Sequence, residues 1–339
     1  MSPSGPSWQG LPRGRHAYPL AKRHHLTLRT QVPACGTLDL ASPQLFSQDA
    51  HVNAARTPSQ QPGTMEDTAM TAPTLVIAAR GSRDQRVARA TQALKAELTR
   101  LRPEVDAHVA FLDSCLPSLP QVLGTVAGSG VDEVVVVPLD LTHAIEVDPR
   151  IDGLVAQTTH QHPALRVSVA RPIGPEASLL TLLDARLRSA LAAARVLELD
   201  GLILSSATTG DVRGTALLAR RARQWSTHHR LPCLTAVADG SGPSVAQAMQ
   251  GLRSQGRRHI AVGSFFLAAD ERWAVQADQA RRVGAVAVSE PLGTAAEVAE
   301  LVLARYAFAA MELLPFDERG NFAAPEPEVA PIGALAFGA

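Results

Sequence analysis

The side chains best suited to chemistry lie in two short polar loops, each of which follows an apolar run. The first loop contains Arg80, Ser82 and Arg83, directly after the apolar residues 75–79. Guanidinium groups bind carboxylates, and free backbone amides at the start of a following helix favour anions. We therefore expect these three residues to bind an anionic substrate. For Arg83, an ion pair with Asp84 or another nearby carboxylate is the alternative.

The second loop places one imidazole and two carboxylates within six residues. His143, Glu146 and Asp148 follow the apolar run 131–141. Imidazole nitrogen and carboxylate oxygen are both ligands for borderline divalent metals. The sequence therefore predicts a metal site formed by these three residues. For Asp148, capping of a helix that begins at Pro149 is the alternative.

Asp113 is a third candidate, because it directly follows the predicted strand 106–112, just as the two polar loops follow apolar runs. The carboxyl ends of parallel strands meet at one edge of a sheet, so Asp113 is expected to line the same cleft and bind substrate. A turn before Pro117 is the alternative explanation. Cys115 is interpreted as a small loop residue rather than a nucleophile. Four histidines are interpreted as surface residues: His160, His162, His228 and His229.

Strand-like and helix-like segments alternate from about residue 71 onward. The letters VVVVP within 131–141 are typical of a strand that is buried on both faces. Alternation of this kind predicts a parallel sheet with right-handed crossovers and flanking helices. The predicted strands are 75–79, 106–112, 131–141 and 165–170, and the predicted helices are 85–101, 118–127, 151–160 and 176–194.

The same pattern then occurs a second time. Residues 201–211 match the opening stretch 75–84, with Asp211 at the position of Asp84. Four matches in the same order indicate an internal repeat. The predicted fold class is α/β, with two tandem, flavodoxin-like three-layer units, namely an N-terminal domain 71–196 and a C-terminal domain 197–314. The other matched segments are 239–244 with 113–118, 259–267 with 133–141, and 291–293 with 172–174.

The two ends of the chain differ from the repeats. Residues 1–70 are rich in Pro, Ser, Gln and His and show no sustained period of 2 or 3.6. Such a composition buries little apolar surface, so this extension is predicted to be disordered. A transit peptide, or a misplaced start with translation beginning at Met65 or Met70, would explain it. Residues 315–339 are predicted to be a disordered tail.

The composition excludes several classes of function. Lys+Arg and Asp+Glu both total 32, so no net charge favours nucleic acid or an anionic membrane. No apolar run approaches the roughly 20 residues of a membrane span. The three cysteines are too scattered for a metal motif or a disulfide framework, and no glycine pattern fits a nucleotide site. We expect a cytoplasmic monomer or homodimer that binds no nucleic acid, membrane or nucleotide.

Several of these features together resemble the class II chelatases. They are the two-copy unit, the letters GSRD at 81–84, the segment 111–118, and the letters VVVPL at 135–139. More narrowly, the chain resembles the sirohydrochlorin cobalto-/ferrochelatase family, in the form that carries both halves on one polypeptide. The resemblance covers residues 74–312. It implies ATP-independent insertion of a divalent metal, Co²⁺ or Fe²⁺, into sirohydrochlorin, a carboxylate-rich tetrapyrrole.

The family has two histidines at its site, and this sequence departs at both positions. One directly precedes the GSRD-like loop, where this chain has Arg80, which stays protonated and has no free lone pair. The other lies in a Gly-x-His-Val-x-x-Asp-Ile-Pro context, for which this chain reads LTHAIEVDP at 141–149, about two residues short. Anchoring the match on Asp148 places Ala144 at the histidine position, while moving the gap places His143 there.

The resemblance assigns roles to the polar loops. It implies that His143 and Glu146 are the catalytic residues, and that Arg80 and Arg83 pair with tetrapyrrole carboxylates. A lyase of siroheme or cobalamin biosynthesis is the first hypothesis. The second, favoured by Arg80, is a catalytically degenerate relative that binds or carries a tetrapyrrole or a metal. The third is a small-molecule-binding α/β protein unrelated to tetrapyrroles.

Overall fold

The computed structural model describes residues 72–314 of the 339-residue chain, and the predicted extension and tail lie outside the described residues. Strands and helices alternate in the described part, and no helix there is long and apolar enough to cross a membrane. The strands are β1 (Thr74–Ala79), β2 (Ala107–Phe111), β3 (Glu133–Pro138), β4 (Arg166–Val169), β5 (Gly201–Ser206), β6 (Cys233–Val237), β7 (Ile260–Phe265) and β8 (Ala287–Val288). The helices are α1 (Gln85–Leu101), α2 (Leu119–Gly128), α3 (Pro149–Gln161), α4 (Leu179–Ala193), α5 (Val212–His229), α6 (Val245–Ser254), α7 (Glu271–Arg282) and α8 (Ala296–Ala310), followed by a short 3-10 helix (Met311–Leu313).

The strands form two parallel four-stranded sheets with the same order. The first sheet runs β2-β1-β3-β4 and the second β6-β5-β7-β8. In the first, Ile77 of the central strand lies opposite Val109 and Val137. Ile203 has the corresponding place in the second sheet. The predicted α/β fold class, two tandem repeats of a small parallel sheet, is confirmed.

The central strands are apolar because helices cover both of their faces. All six residues of β1 and all six of β5 are buried. On the outer face of the first sheet, Val76 and Val136 share an apolar cluster with Leu119 and Leu123 of α2. The second sheet uses α6 in the same way. Burial on both faces explains the continuous apolar runs from which the strands were predicted.

The last helix of each half packs against the sheet of the other half. Helix α4 follows the first sheet in sequence but contacts β7 and β8, whereas α8 contacts β3, β4 and α1. Helices α1, α4, α5 and α8 therefore share one core cluster with residues of both sheets. The sequence did not predict this exchange. It placed α4 with the first sheet and α8 with the second, because each helix directly follows that sheet in sequence. The domain ranges 71–196 and 197–314 stay a prediction.

Polar contacts hold α8 on the first half of the chain. The Tyr306 hydroxyl donates a hydrogen bond of 2.7 Å to the carbonyl oxygen of Pro73. Arg305 donates to the carbonyl oxygen of Pro172 at 3.1 Å and pairs with Glu176 at 2.5 Å. These side chains satisfy backbone acceptors that lie outside regular secondary structure. They add directional contacts to the apolar packing of the exchanged helix.

Three predicted strands, 106–112, 131–141 and 165–170, are longer than the observed ones, and the largest difference lies where the chain turns toward the cavity described below. The strand predicted over 131–141 ends as β3 at Pro138. Asp140 turns the chain there, because its carboxylate accepts the backbone N–H groups of Thr142 and His143. The helix predicted over 85–101 has the observed bounds of α1.

We expect the replacement Gly263→Ala to lower the free energy of unfolding by about 1–3 kcal/mol. Gly263 lies in β7, and a methyl group there would be only 2.5 Å from a ring carbon of Trp225. The Trp225 ring is fully buried in the shared core and has little room to move. Urea denaturation gives the free energy directly.

Gly153→Ala is the matched control. Gly153 lies inside α3 with open space around its Cα. Alanine is favoured over glycine in a helix by roughly 0.8–1 kcal/mol, so this variant should be slightly more stable than the wild type. A Gly263→Ala protein as stable as the wild type would show that the core is packed differently from the description above.

Candidate active site

A cavity of about 480 Å³ opens at the carboxyl ends of the strands. Loops after β1, β2 and β3 line it from the first half of the chain, and loops after β5, β7 and β8 line it from the second. Strand ends of this kind collect ligands in α/β proteins, and the volume suits an organic molecule. The apolar lining includes Leu94, Leu139, Leu141, Phe265, Phe266 and Leu267, and the charged lining consists of Arg80, Arg83, Asp113, Asp140, Asp270, Glu271 and Arg272.

The first polar loop forms part of this cavity. Arg80, Ser82 and Arg83 all line it, and so does Asp113 from the loop after β2. Gly81 makes the path possible, because a Cβ atom at this position would overlap with the carbonyl group of Asp113. The four residues assigned from the sequence to substrate binding are therefore brought together. Their role in binding a substrate stays a prediction.

The start of α1 explains why Arg83 is available to a ligand. Asp84 caps the helix by accepting the backbone N–H of Arg86 at 2.9 Å, and it also pairs with the Arg86 guanidinium at 2.6 Å. The alternative in which Arg83 pairs with Asp84 is therefore wrong. Within residues 72–314, Arg83 forms no ion pair with a neighbouring carboxylate. Its charge can instead serve an anionic group in the cavity.

A chain of ion pairs connects the first loop to α3. Arg80 contacts Asp148 at 3.3 Å, and Arg150 pairs with Asp148 at 2.7 Å and with Asp113 at 2.6 Å. Asp148 also accepts the backbone N–H of Arg150 and so caps α3, the alternative role suggested for it. Hydrogen bonds from Arg150 hold the pKa of Asp148 well below its usual range. Both oxygens of Asp148 face guanidinium groups, so a metal ion would have to displace one of them.

His143 is held by a carboxylate that the sequence analysis did not assign. Asp140 Oδ2 lies 2.9 Å from Nδ1 of His143, and Oδ1 accepts the backbone N–H of the same residue at 2.9 Å. The hydrogen bond to Asp140 raises the pKa of His143 although partial burial opposes it. In the part of the chain that is described, Nε2 accepts or donates no hydrogen bond. His143 itself does not line the cavity, but Asp140 and Thr142 beside it do.

A single carboxylate from the second half fixes the backbone next to His143. One oxygen of Asp211 accepts three consecutive N–H groups, those of residues 144–146, at 2.9–3.1 Å. The other oxygen accepts the N–H of Gly214 and so caps α5. Burial would raise the pKa of Asp211, but these backbone hydrogen bonds lower it to about 2. The loop that carries His143 is thus anchored to the first turn of α5.

Small residues let the two halves approach closely at this anchor. A Cβ atom on either Gly210 or Gly214 would overlap with the carbonyl group of Thr142. Gly210 also has a φ of 77°, which glycine adopts without strain. The hydroxyl oxygens of Thr142 and Thr208 lie 3.0 Å apart. These contacts fix the spacing of the two halves beside His143.

The three predicted metal ligands do not form a compact cluster. Glu146 is exposed, and its backbone N–H rather than its carboxylate is held by Asp211. Among residues 72–314, a single group of His, Cys, Asp or Glu side chains has three ligand atoms within 4.8 Å of one another. This group consists of Asp184, His228 and His229. The assignment of His143, Glu146 and Asp148 as metal ligands stays a prediction, as does catalysis by His143 and Glu146.

The sequence analysis missed the acidic residues that position the site. Asp140 precedes His143 by three residues at the end of an apolar run, where Asp commonly forms a turn. Asp211 was matched to Asp84 through the repeat but received no role. Asp270, which lines the cavity and caps α7, belongs to the second-half segment equivalent to the His143 loop. The repeat was the signal that could have identified both second-half residues.

The fold and the cleft define a chelatase-like protein with two α/β units around one cavity. Residues 74–190 match the model of the CbiX family. The resemblance to the class II chelatases is thereby confirmed. No protein with a curated description matches the chain in sequence.

Three solved structures share this fold. SirB from Bacillus subtilis with Fe³⁺ is 17% identical, with a TM-score of 0.57 over 74% of this chain and 99% of SirB. The sirohydrochlorin chelatase SirB from Bacillus subtilis subspecies spizizenii in complex with cobalt is 16% identical, with a TM-score of 0.54 over 74% and 97% of the two chains. DR2241 from Deinococcus radiodurans, a multi-domain protein with structural similarity to chelatases, is 23% identical, with a TM-score of 0.51 over 74% of this chain and 57% of DR2241.

We expect Asp211→Asn to lower the free energy of unfolding by about 2 kcal/mol at neutral pH. An amide keeps one acceptor oxygen, but its NH₂ group would face N–H donors of residues 144–146 or of Gly214. Urea denaturation measures the loss. Asp278→Asn is the control, because Asp278 forms an exposed ion pair with Arg282 and its loss should cost less than about 1 kcal/mol.

The contribution of Asp211 should also depend on pH in a defined direction. Its pKa is lower in the folded protein than in the unfolded chain, so the stabilisation is complete above about pH 4 and is lost as the pH falls toward 2. The difference in stability between wild type and Asp211→Asn should shrink over this window. A difference that is constant from neutral pH down to about pH 2 would contradict the charged role of Asp211.

Proposed function

We propose that the protein inserts a divalent metal ion, Co²⁺ or Fe²⁺, into sirohydrochlorin without ATP, as a step of cobalamin or siroheme biosynthesis. The match of residues 74–190 to the CbiX family model supports this proposal. So does the common fold with two SirB structures, one described with Fe³⁺ and one, named a sirohydrochlorin chelatase, in complex with cobalt. The metal ion is a substrate in this reaction.

The pair formed by Asp140 and His143 is the observation that carries the proposal. Metal insertion requires removal of two pyrrole protons and loss of water from the metal ion. With Nδ1 held by Asp140, the Nε2 lone pair of a neutral His143 can accept a proton or coordinate the metal. The carboxylate also stabilises the imidazolium that forms after proton transfer. Glu146, exposed and near in sequence, would pass protons to solvent or contribute a ligand.

The cavity lining suits a flat, anionic ring system. Its leucine and phenylalanine side chains provide an apolar surface for a macrocycle. Arg80, with a side chain 45% exposed, and Arg83 provide positive charge for peripheral carboxylates. Ser82 can add a hydrogen bond. Asp113, held by Arg150, would orient the substrate through the same ion-pair chain rather than bind a carboxylate itself.

A second candidate function is tetrapyrrole or metal binding without insertion. By the resemblance, Arg80 stands where the family has a histidine, and its permanently charged guanidinium can neither bind a metal ion nor accept a proton. The position of Arg80 in the cavity lining, with its side chain 45% exposed, supports a role in binding. Under either function we propose a cytoplasmic protein, monomeric or dimeric, whose partner is a tetrapyrrole rather than nucleic acid or a membrane.

We expect the purified full chain to accelerate the change in the absorption spectrum of sirohydrochlorin that follows addition of Co²⁺. His143→Ala should slow the change about hundredfold, because a positioned acid–base group contributes at least about that factor. Binding of the pigment should persist in this variant. The measurement is the initial rate of the spectral change with saturating pigment, compared between the wild type and His143→Ala.

His160→Ala is the matched control, since His160 is exposed near the end of α3 and should not affect the rate. A His143→Ala rate equal to that of the wild type would show that another group accepts the proton. Bound pigment with no rate above the spontaneous one, already in the wild type, would favour the binding function instead.

The rate should rise with pH as His143 loses its proton. The pKa of His143 is raised above its ordinary value of 6.5 by the hydrogen bond to Asp140, so the neutral base becomes abundant only above that raised value. Asp140→Asn removes the charge that raises the pKa, and the rising part of the pH–rate profile should move to lower pH. A profile that does not move would show that this pair does not set the protonation state of the reacting group.

A further inference from the structure

A carboxylate and two imidazoles meet where α4 crosses the end of α5. Asp184 lies in α4, and His228 and His229 are the last two residues of α5. One ligand atom of each residue lies within 4.8 Å of the others. The sequence analysis interpreted both histidines as surface residues. This is wrong for His229, whose side chain is only 21% exposed.

The carboxylate of Asp184 is buried in apolar surroundings. Its side chain is 5% exposed, and Leu183 and Leu187 beside it in α4 are fully buried. A charge in such a place needs a compensating partner. Oδ1 lies 2.6 Å from Nε2 of His229, and Oδ2 pairs with Arg188.

Aromatic contacts hold the two rings. Trp225 contacts His229 edge-on at 5.7 Å between ring centres, and His228 contacts His229 edge-on at 4.9 Å. His228 is exposed, so an ion and its remaining water ligands can reach the cluster. The carboxyl end of a helix also carries partial negative charge, which favours a cation at this position.

We propose that Asp184, His228 and His229 form a binding site for a borderline divalent cation such as Zn²⁺, Co²⁺ or Ni²⁺. Two imidazole nitrogens and one carboxylate oxygen are a ligand set that these ions accept, with water in the other positions. Oδ1 of Asp184 is the ligand oxygen. Arg188 keeps its contact with Oδ2 and orients the carboxylate.

This site is separate from the cavity between the halves. Helix α5 starts beside the cavity, at the cap formed by Asp211, and ends at His229. Its 18 residues span about 27 Å at 1.5 Å per residue. An ion bound here is therefore not the ion that reacts in the cavity. The bound ion would join α4, which follows the first sheet in sequence, to α5 of the second half. This inference does not depend on the proposed function.

Titration of the untagged, metal-free full chain with Co²⁺ alone tests the site. His228→Ala removes an exposed ligand and leaves the Asp184–His229 contact in place, so the fold should be kept. Loss of contacts that only support a metal ligand costs about 10–100-fold in affinity, so loss of a ligand should weaken binding at least tenfold. We expect the number of Co²⁺ ions bound per chain to fall by one.

Thermal unfolding supplies the second measurement, because an ion that binds only the folded state raises Tm. Without metal, wild type and His228→Ala should unfold at the same temperature. Added Co²⁺ should raise the Tm of the wild type and of two controls, His160→Ala and His143→Ala, but not of His228→Ala. The His143→Ala control separates this site from metal binding beside the cavity.

Two results would overturn the proposal. One is equal Co²⁺ binding and an equal Tm increase in wild type and His228→Ala. The other is loss of the Tm increase in His143→Ala with its retention in His228→Ala, which would assign the ion to the cleft. Because no tetrapyrrole is present, failure here leaves the insertion rate as a separate test of the proposed function.

Discussion

The carboxylate of Asp211 makes the interaction on which the candidate site depends. Three successive backbone N–H groups of residues 144–146 converge on one of its oxygens, while the other oxygen caps α5. These N–H groups belong to one half of the chain, and their acceptor is supplied by the other half. The shape of the loop that carries His143 therefore exists only when the two halves are docked. The site belongs to the complete pair of units and to neither unit alone.

The electrostatic arrangement places one base beside a cleft whose lining carries fixed charge. Arg80, Asp148, Arg150 and Asp113 form a continuous series of alternating charges, whose two end members, Arg80 and Asp113, line the cleft. The shared contacts hold these four side chains in place. His143 differs because it is a base, and the hydrogen bond to Asp140 raises its pKa. Where the family resemblance leads one to expect two imidazoles, this chain has one imidazole strengthened by a carboxylate.

Much of the fold could be predicted from the sequence, because continuous apolar runs indicate buried strands and their repetition indicates a second unit of the same kind. The bounds of α1 and the order of strands and helices followed from this. The helix exchange could not be predicted, since apolar faces on α4 and α8 fit either sheet and their partner strands are distant in sequence. Asp211 was missed because its partners are backbone amides, which leave no residue-type signal, and two of the four hydrogen bonds of Asp140 are of the same kind. For Asp148, the sequence left two alternatives open, a helix cap and a metal ligand. The structure shows Asp148 as the cap of α3.

The exchanged helices also determine the order in which the chain can complete its folding during synthesis. The strands of the first sheet are finished when Val169 emerges, but α8, which covers one of their faces, ends only at Ala310. At a translation rate of about 5–20 residues per second, that face waits on the order of ten seconds for its cover. During this interval one face of the first sheet is covered by α1 but not yet by α8. Two sequentially folding domains would not have such a period of partial exposure.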